Sequence, residues 1–135
     1  MPRHEELIVR RTFPTEKVLS VLTGHLVCEI EGVYEVLGWM ADEALFTHQL
    51  PRVAREARPV MLTLHPQLGQ AHEEAKLVTT ENWRSWREEW IDRYGSGIVL
   101  RKMTAAEHER IDPISEAAEM IPPGKIFPLH VSDIP

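Results

Sequence analysis

The feature that most constrains the fold is an apolar stripe in the middle of the chain. Leu50, Val53, Ala54, Ala57, Met61 and Leu64 recur at helical spacing and make one face of a helix. Pro51 suits the first turn of that helix, where a missing N–H costs nothing. Arg52, Arg55 and Arg58 lie largely off the apolar face. Pro59 is expected either to kink the helix or to start a fresh segment, Val60–Leu64, before His65-Pro66 stops it.

Other segments offer surfaces to cover this face. Pro14 and Gly24 bracket a helix whose apolar side is Val18, Leu19 and Leu22. It ends at Thr23-Gly24-His25 or gives way to a brief extended piece, Leu26-Val27-Cys28. After Gly32, the residues Val33, Val36, Leu37 and Met40 match the i, i+3, i+4, i+7 template, and Asp42-Glu43 closes that helix. Residues 67–76 carry no strong period and read as loop or weak helix. Thr79 or Thr80 caps a helix along which Trp83, Trp86, Trp90 and Tyr94 form one aromatic stripe, ended by Gly95-Ser96-Gly97.

Two segments read as strands, Leu7–Phe13 and Ile98–Met103, and their unpaired backbone groups are satisfied if they pair with each other. Thr104-Ala105-Ala106-Glu107 has capping-box spacing, and Asp112-Pro113 opens a last helix through Ile114, Ala117, Ala118 and Ile121. Pro122-Pro123-Gly124 stops it, and Ile126–Val131 forms an extended apolar tail. The expectation is a single α+β domain over residues 1–135, mostly helical, with a small antiparallel sheet.

Composition narrows the function classes. At 135 residues, with 43% hydrophobic and 27% charged residues, the chain has the balance of one soluble globular domain. No apolar run approaches the roughly 20 residues of a membrane span, and Met1–Glu6 has no apolar core of a secretory signal, so a cytoplasmic protein is expected. The single cysteine fits a reducing compartment. A net charge of −6 argues against non-specific nucleic-acid binding.

Little points to catalysis. The seven histidines form no metal-ligand pair, so no metal site and no cofactor are expected. Cys28 with His25 or His48 and Glu29 makes a triad on paper, yet no nucleophile motif surrounds it, and it reads as a small buried hydrophobe. Glu73-Glu74 and Glu88-Glu89 read as solvated faces. A binding protein is therefore the stronger class.

Binding residues are easier to nominate. The turn Thr47-His48-Gln49 and the arginines Arg52 and Arg55 crowd the positive end of the central helix, a seat for an anion. Arg10 in the first strand and Arg101 in the later one would join them around phosphates if the strands pair near that helix. Asn82 and Trp83 at a helix start would address a base by amide contact and stacking. The bland alternatives are a capped amphipathic helix with solvated arginines and an aromatic stripe packed in a core or dimer interface.

Several stretches also resemble a known family. Residues Pro14–Leu26 (PTEKVLSVLTGHL), Val33–Met40 (VYEVLGWM), Leu45–Arg52 (LFTHQLPR) and His65–Leu68 (HPQL) resemble small proteins encoded by bacteriophages and prophages; Glu81-Asn82-Trp83 and Asp112-Pro113 match more loosely. The resemblance extends to phage anti-defence proteins, among them the Thoeris anti-defence group that sequesters cyclic nucleotide signals. It implies a homo-oligomer that traps a cyclic ADP-ribose isomer or cyclic oligonucleotide without turning it over. Two rivals remain: an acidic, anti-CRISPR-like inhibitor that binds a protein of a defence complex, and a hydrolase of the nucleotide signal. If Arg52 belongs to the ligand site, Arg52→Ala abolishes binding and leaves the melting temperature nearly unchanged.

Overall fold

The computed structural model describes residues 9–120. Its elements run β1 (Arg10–Pro14), α1 (Thr15–Thr23), α2 (Ile30–Ala41), a 3-10 turn (Thr47–Gln49), α3 (Leu50–Leu64), α4 (Leu68–Glu74), a second 3-10 turn (Ala75–Leu77), α5 (Trp83–Tyr94), β2 (Gly97–Arg101) and α6 (Pro113–Met120). The result is an α+β fold, mostly helical, with one two-stranded antiparallel sheet among the described residues. None of the described helices is long and apolar enough to cross a membrane.

The strands pair as expected, with Arg10 opposite Arg101 and Pro14 opposite Gly97. Gly97 is required there, because a Cβ would lie 2.6 Å from the Thr12 methyl. Phe13, Ile98 and Leu100 are buried against the helices. Where β1 runs directly into α1, the Thr15 N–H and hydroxyl donate to the carbonyls of Ser96 and Gly95, so the start of α1 is stitched to the turn before β2. Gly24, at φ +79°, caps α1 in the left-handed region that glycine enters without strain.

No strand follows α1. The Val27 N–H donates to the Ser20 hydroxyl at 3.0 Å, folding residues 25–29 back over the helix, and Val27 is fully buried. Helix α2 begins at Ile30, so Gly32 sits inside its first turn rather than before it. A Cβ at Gly32 would lie 2.8 Å from the Lys17 Cγ and 2.9 Å from the Cys28 sulfur, which explains why the close approach of α1 and α2 tolerates only glycine there.

Helix α3 continues through Pro59 without starting afresh. Proline leaves the Arg55 carbonyl without its helical donor, at a place where Pro59 and Arg55 are both exposed. The opposite side of α3, with Val53, Ala57, Val60 and Met61, stays in the core beside Leu19, Leu22, Leu37, Met40, Leu68 and Trp90. Residues 67–76 are more regular than their sequence suggests. Leu68, Ala71 and Ala75 turn inward at spacings of three and four, which suffices to hold α4 and the turn after it.

Helix α5 begins at Trp83, later than a cap at Thr79 or Thr80 would give. Thr79 and Asn82 instead brace one turn: the Thr79 N–H donates to the Asn82 side-chain oxygen, and the Asn82 N–H to the Thr79 hydroxyl. The Thr104–Glu107 capping box closes only a single turn. Asp112 caps α6 by accepting from the Ser115 N–H and hydroxyl. Residues 7–8 of the expected first strand, Ile121, the Pro122-Pro123-Gly124 stop and the apolar tail lie outside the described residues.

Candidate functional site

The turn and arginines at the start of α3 are brought together, but around a carboxylate of the same chain. Glu116 on α6 accepts from the Arg52 Nε at 2.7 Å and its terminal nitrogen at 3.0 Å, and from the Gln49 amide at 3.1 Å. Arg52 also donates to Glu56 at 2.8 Å and to the Glu109 carbonyl at 2.7 Å. The Glu116 side chain is only 5% exposed. Its Arg52 bonds hold its pKa below the usual carboxylate range, and the same bonds raise that of Arg52. The anion seat expected at Arg52 is thus filled by Glu116, a residue 64 positions away.

The neighbouring turn residues are similarly engaged. His48 bonds the Pro113 carbonyl at 2.8 Å, Gln49 is fully buried and accepts from the Phe46 N–H, and Thr47 meets the Tyr34 hydroxyl. Arg55 is exposed. Arg101 reaches the same neighbourhood, lining a hollow with Glu56 and Pro59, but its guanidinium binds both Glu107 oxygens at 2.8 and 2.9 Å. That fork, chiefly, drives the Glu107 pKa down to about 2. Arg10 faces Arg101 across the sheet. Two of the nominated arginines are therefore forked onto internal carboxylates, and the phosphate-ringing arrangement is not formed.

A histidine between two carboxylates lies close by. The His108 ring nitrogens are each 2.6 Å from a carboxylate, Glu56 on one side and Glu43 on the other. Such a group suits general acid–base chemistry only if it can reach a substrate. The His108 side chain is 4% exposed with both nitrogens occupied, so it serves as a staple holding residues 104–109 onto α3 and the end of α2.

Asn82 and Trp83 belong to a different surface. Trp83 walls a cleft of about 590 Å³ built from α1 (Glu16, Lys17), the loop Leu26–Glu29, α2 (Glu31, Gly32, Glu35) and Arg87 of α5. A second hollow of about 360 Å³ shares Leu26, Val27 and Trp83 and is completed by His25, Val78, Thr79 and Thr80. The Trp83 ring has the Arg84 and Arg87 guanidiniums 5.0 and 5.2 Å from its centre. Asn82 spends its amide on the Leu77 carbonyl and the Thr79 N–H.

Four carboxylates face two cations in this cleft. Lys17 already bonds Glu35 at 2.8 Å, with Arg11 at 2.9 Å on the other oxygen, and the Lys17 contact leads in lowering the Glu35 pKa. Arg87 bonds Glu88 and the Val27 carbonyl. Glu16, Glu29 and Glu31 have no cation within ion-pair distance among the described residues. Cys28 is partly rather than fully buried, and burial raises its thiol pKa, the opposite of what a nucleophilic thiolate needs.

Within the pair Glu73-Glu74, Glu73 is solvated as expected and Glu74 is not. Glu74 accepts two of the stripe's three indole N–H groups on one oxygen, Trp86 at 3.0 Å and Trp90 at 2.9 Å. Trp86 and Trp90 are core residues, so most of the aromatic stripe packs inward and Trp83 alone walls the large cleft. Sequence reasoning missed Glu56, Glu107 and Glu116 as partners and Lys17 and Arg87 as cleft residues. Glu107 carried a local signal in its capping-box spacing and Glu56 in its i, i+4 spacing from Arg52, whereas Glu116 carried none.

No group of three or more metal-ligating side chains is gathered among the described residues. No buried side-chain nitrogen or oxygen among them lacks a hydrogen-bond partner, so no polar group is held in reserve inside the fold. A family model described as a domain of unknown function (DUF7736) matches residues 13–71, which hold α1, α2 and α3 and end within α4. No curated protein and no solved structure matches the chain.

Proposed function

We propose that this protein is a non-catalytic inhibitor of the phage anti-defence kind its sequence resembles, acting in the host cytoplasm by docking its acidic face on a basic protein partner. The observation that carries this reading is the charge of the Trp83 cleft. Among the described residues, Glu16, Glu29 and Glu31 there have no cation within ion-pair distance, in a chain of net charge −6, while Arg52 and Arg101 are forked onto internal carboxylates. Acidic surfaces of this kind steer and select basic partners and repel nucleic acid.

The test is affinity capture from host lysate with the wild-type chain and with a Glu29→Lys/Glu31→Lys variant, melting temperatures being compared first. The reading requires a partner retained by the wild type, released by salt and lost by the variant. Equal retention by both contradicts it.

Sequestration of an anionic nucleotide has one observation in its favour: Trp83, Lys17 and Arg87 share a single cleft. In that reading the ligand site lies at Trp83 and not at Arg52. A nucleotide held at a hundredfold excess over its Kd adds about 2.7 kcal/mol of stability. A thermal-shift screen with cyclic nucleotides and cyclic ADP-ribose isomers, followed by mass analysis of the ligand, decides it. A shift with intact ligand supports sequestration, and a shift with altered ligand makes the protein an enzyme.

A further inference from the structure

The two hollows beside Trp83 adjoin, with Leu26, Val27 and Trp83 lining both, and together they make a surface groove of two compartments. Its two ends differ in chemistry. One end is rimmed by Glu29 and Glu31, with Lys17 and Arg87 there already bonded to Glu35 and Glu88, and the other is lined by Val78, while Leu26, which lines both, is 52% exposed. The walls are fixed in advance. Arg87 ties α5 to the Val27 carbonyl at 3.2 Å, and Thr79 and Asn82 brace the turn on the far side. A preformed groove loses little freedom when it is filled.

Resting on the inhibitor reading above, we propose that this groove takes a basic protein segment that carries an apolar anchor. The anchor lies against Leu26, Val78 and Trp83, and lysines or arginines beside it meet Glu29 and Glu31. Charge complementarity selects this occupant. An acidic segment would set like charges against the rim, and a purely cationic one would leave the exposed leucine and the indole wall uncovered.

The test uses a fluorescent leucine–lysine peptide patterned as an amphipathic helix, with oligolysine of equal charge and a leucine–glutamate peptide as controls. The leucine–lysine peptide is expected to bind roughly tenfold or more tighter than oligolysine, and the acidic peptide not at all. Leu26→Ser and Glu29→Lys/Glu31→Lys are each expected to weaken it by roughly tenfold. Equal binding of oligolysine, or unchanged binding by Leu26→Ser, overturns the groove assignment. If captured host partner is lost by the charge-reversal variant but kept by Leu26→Ser, the acidic-face reading survives and the groove proposal falls alone.

Discussion

Arg52 shows how a charged residue at a helix start can be structural. Its fork on Glu116 is largely out of water, with side-chain exposures of 14% and 5%. Arg52→Ala removes the cation and leaves a buried carboxylate beside Glu56. The expected cost is about 3 kcal/mol, measured by denaturant unfolding. A variant as stable as the wild type would return Arg52 to the ligand site. The Arg101–Glu107 pair makes a second residue-level prediction. Folding holds Glu107 ionised down to about pH 2, against an ordinary value of 4.5. Its stabilisation is therefore present above pH 4.5 and lost as the pH falls from 4.5 to about 2. The melting temperature is expected to drop across that window, and Arg101→Met to flatten the drop. Of these partners, Glu116 was not legible in the sequence. A carboxylate 64 residues from its arginine has no local pattern, whereas the helix that carries Arg52 announces itself through a repeating apolar face.

Among the elements, legibility tracked periodicity. Helix α2 was plain because Val33, Val36, Leu37 and Met40 repeat without interruption, and the strand pairing followed from two short segments that each lacked another partner. Helix α4 was obscured because its inner face is only Leu68 and small Ala71, continued by Ala75 of the following turn, amid charged neighbours. What seats α4 against α5 is Glu74, which accepts from both Trp86 and Trp90. Burial pushes the Glu74 pKa up, but the two indoles and Gln70 outweigh it and hold it low. Glu74→Ala orphans two indole N–H groups and is expected to cost about 2–4 kcal/mol in thermal or denaturant unfolding. Glu74→Gln keeps an acceptor and is expected to cost under about 1 kcal/mol. Equal losses in the two variants would mean that packing, not the indole bonds, holds the joint.

Across the molecule, charge is divided between two regions. Around the start of α3, Arg52 and Arg101 are matched by internal carboxylates, and these forks with the His108 staple fasten α6 and residues 104–109 to the helices. Around Trp83, three carboxylates, Glu16, Glu29 and Glu31, have no ion-pair partner among the described residues and stand beside exposed Leu26. The sequence offered both regions as candidates, and its composition could not say which arginines were already matched. The central claim is that recognition occurs at the second region. Hydrogen exchange on the complex with the captured partner tests it most directly. The account predicts slowed exchange in residues 24–35 and 77–87, with residues 47–55 unchanged. Protection confined to residues 47–55 and 109–116 would contradict it and place the binding surface at the arginine forks.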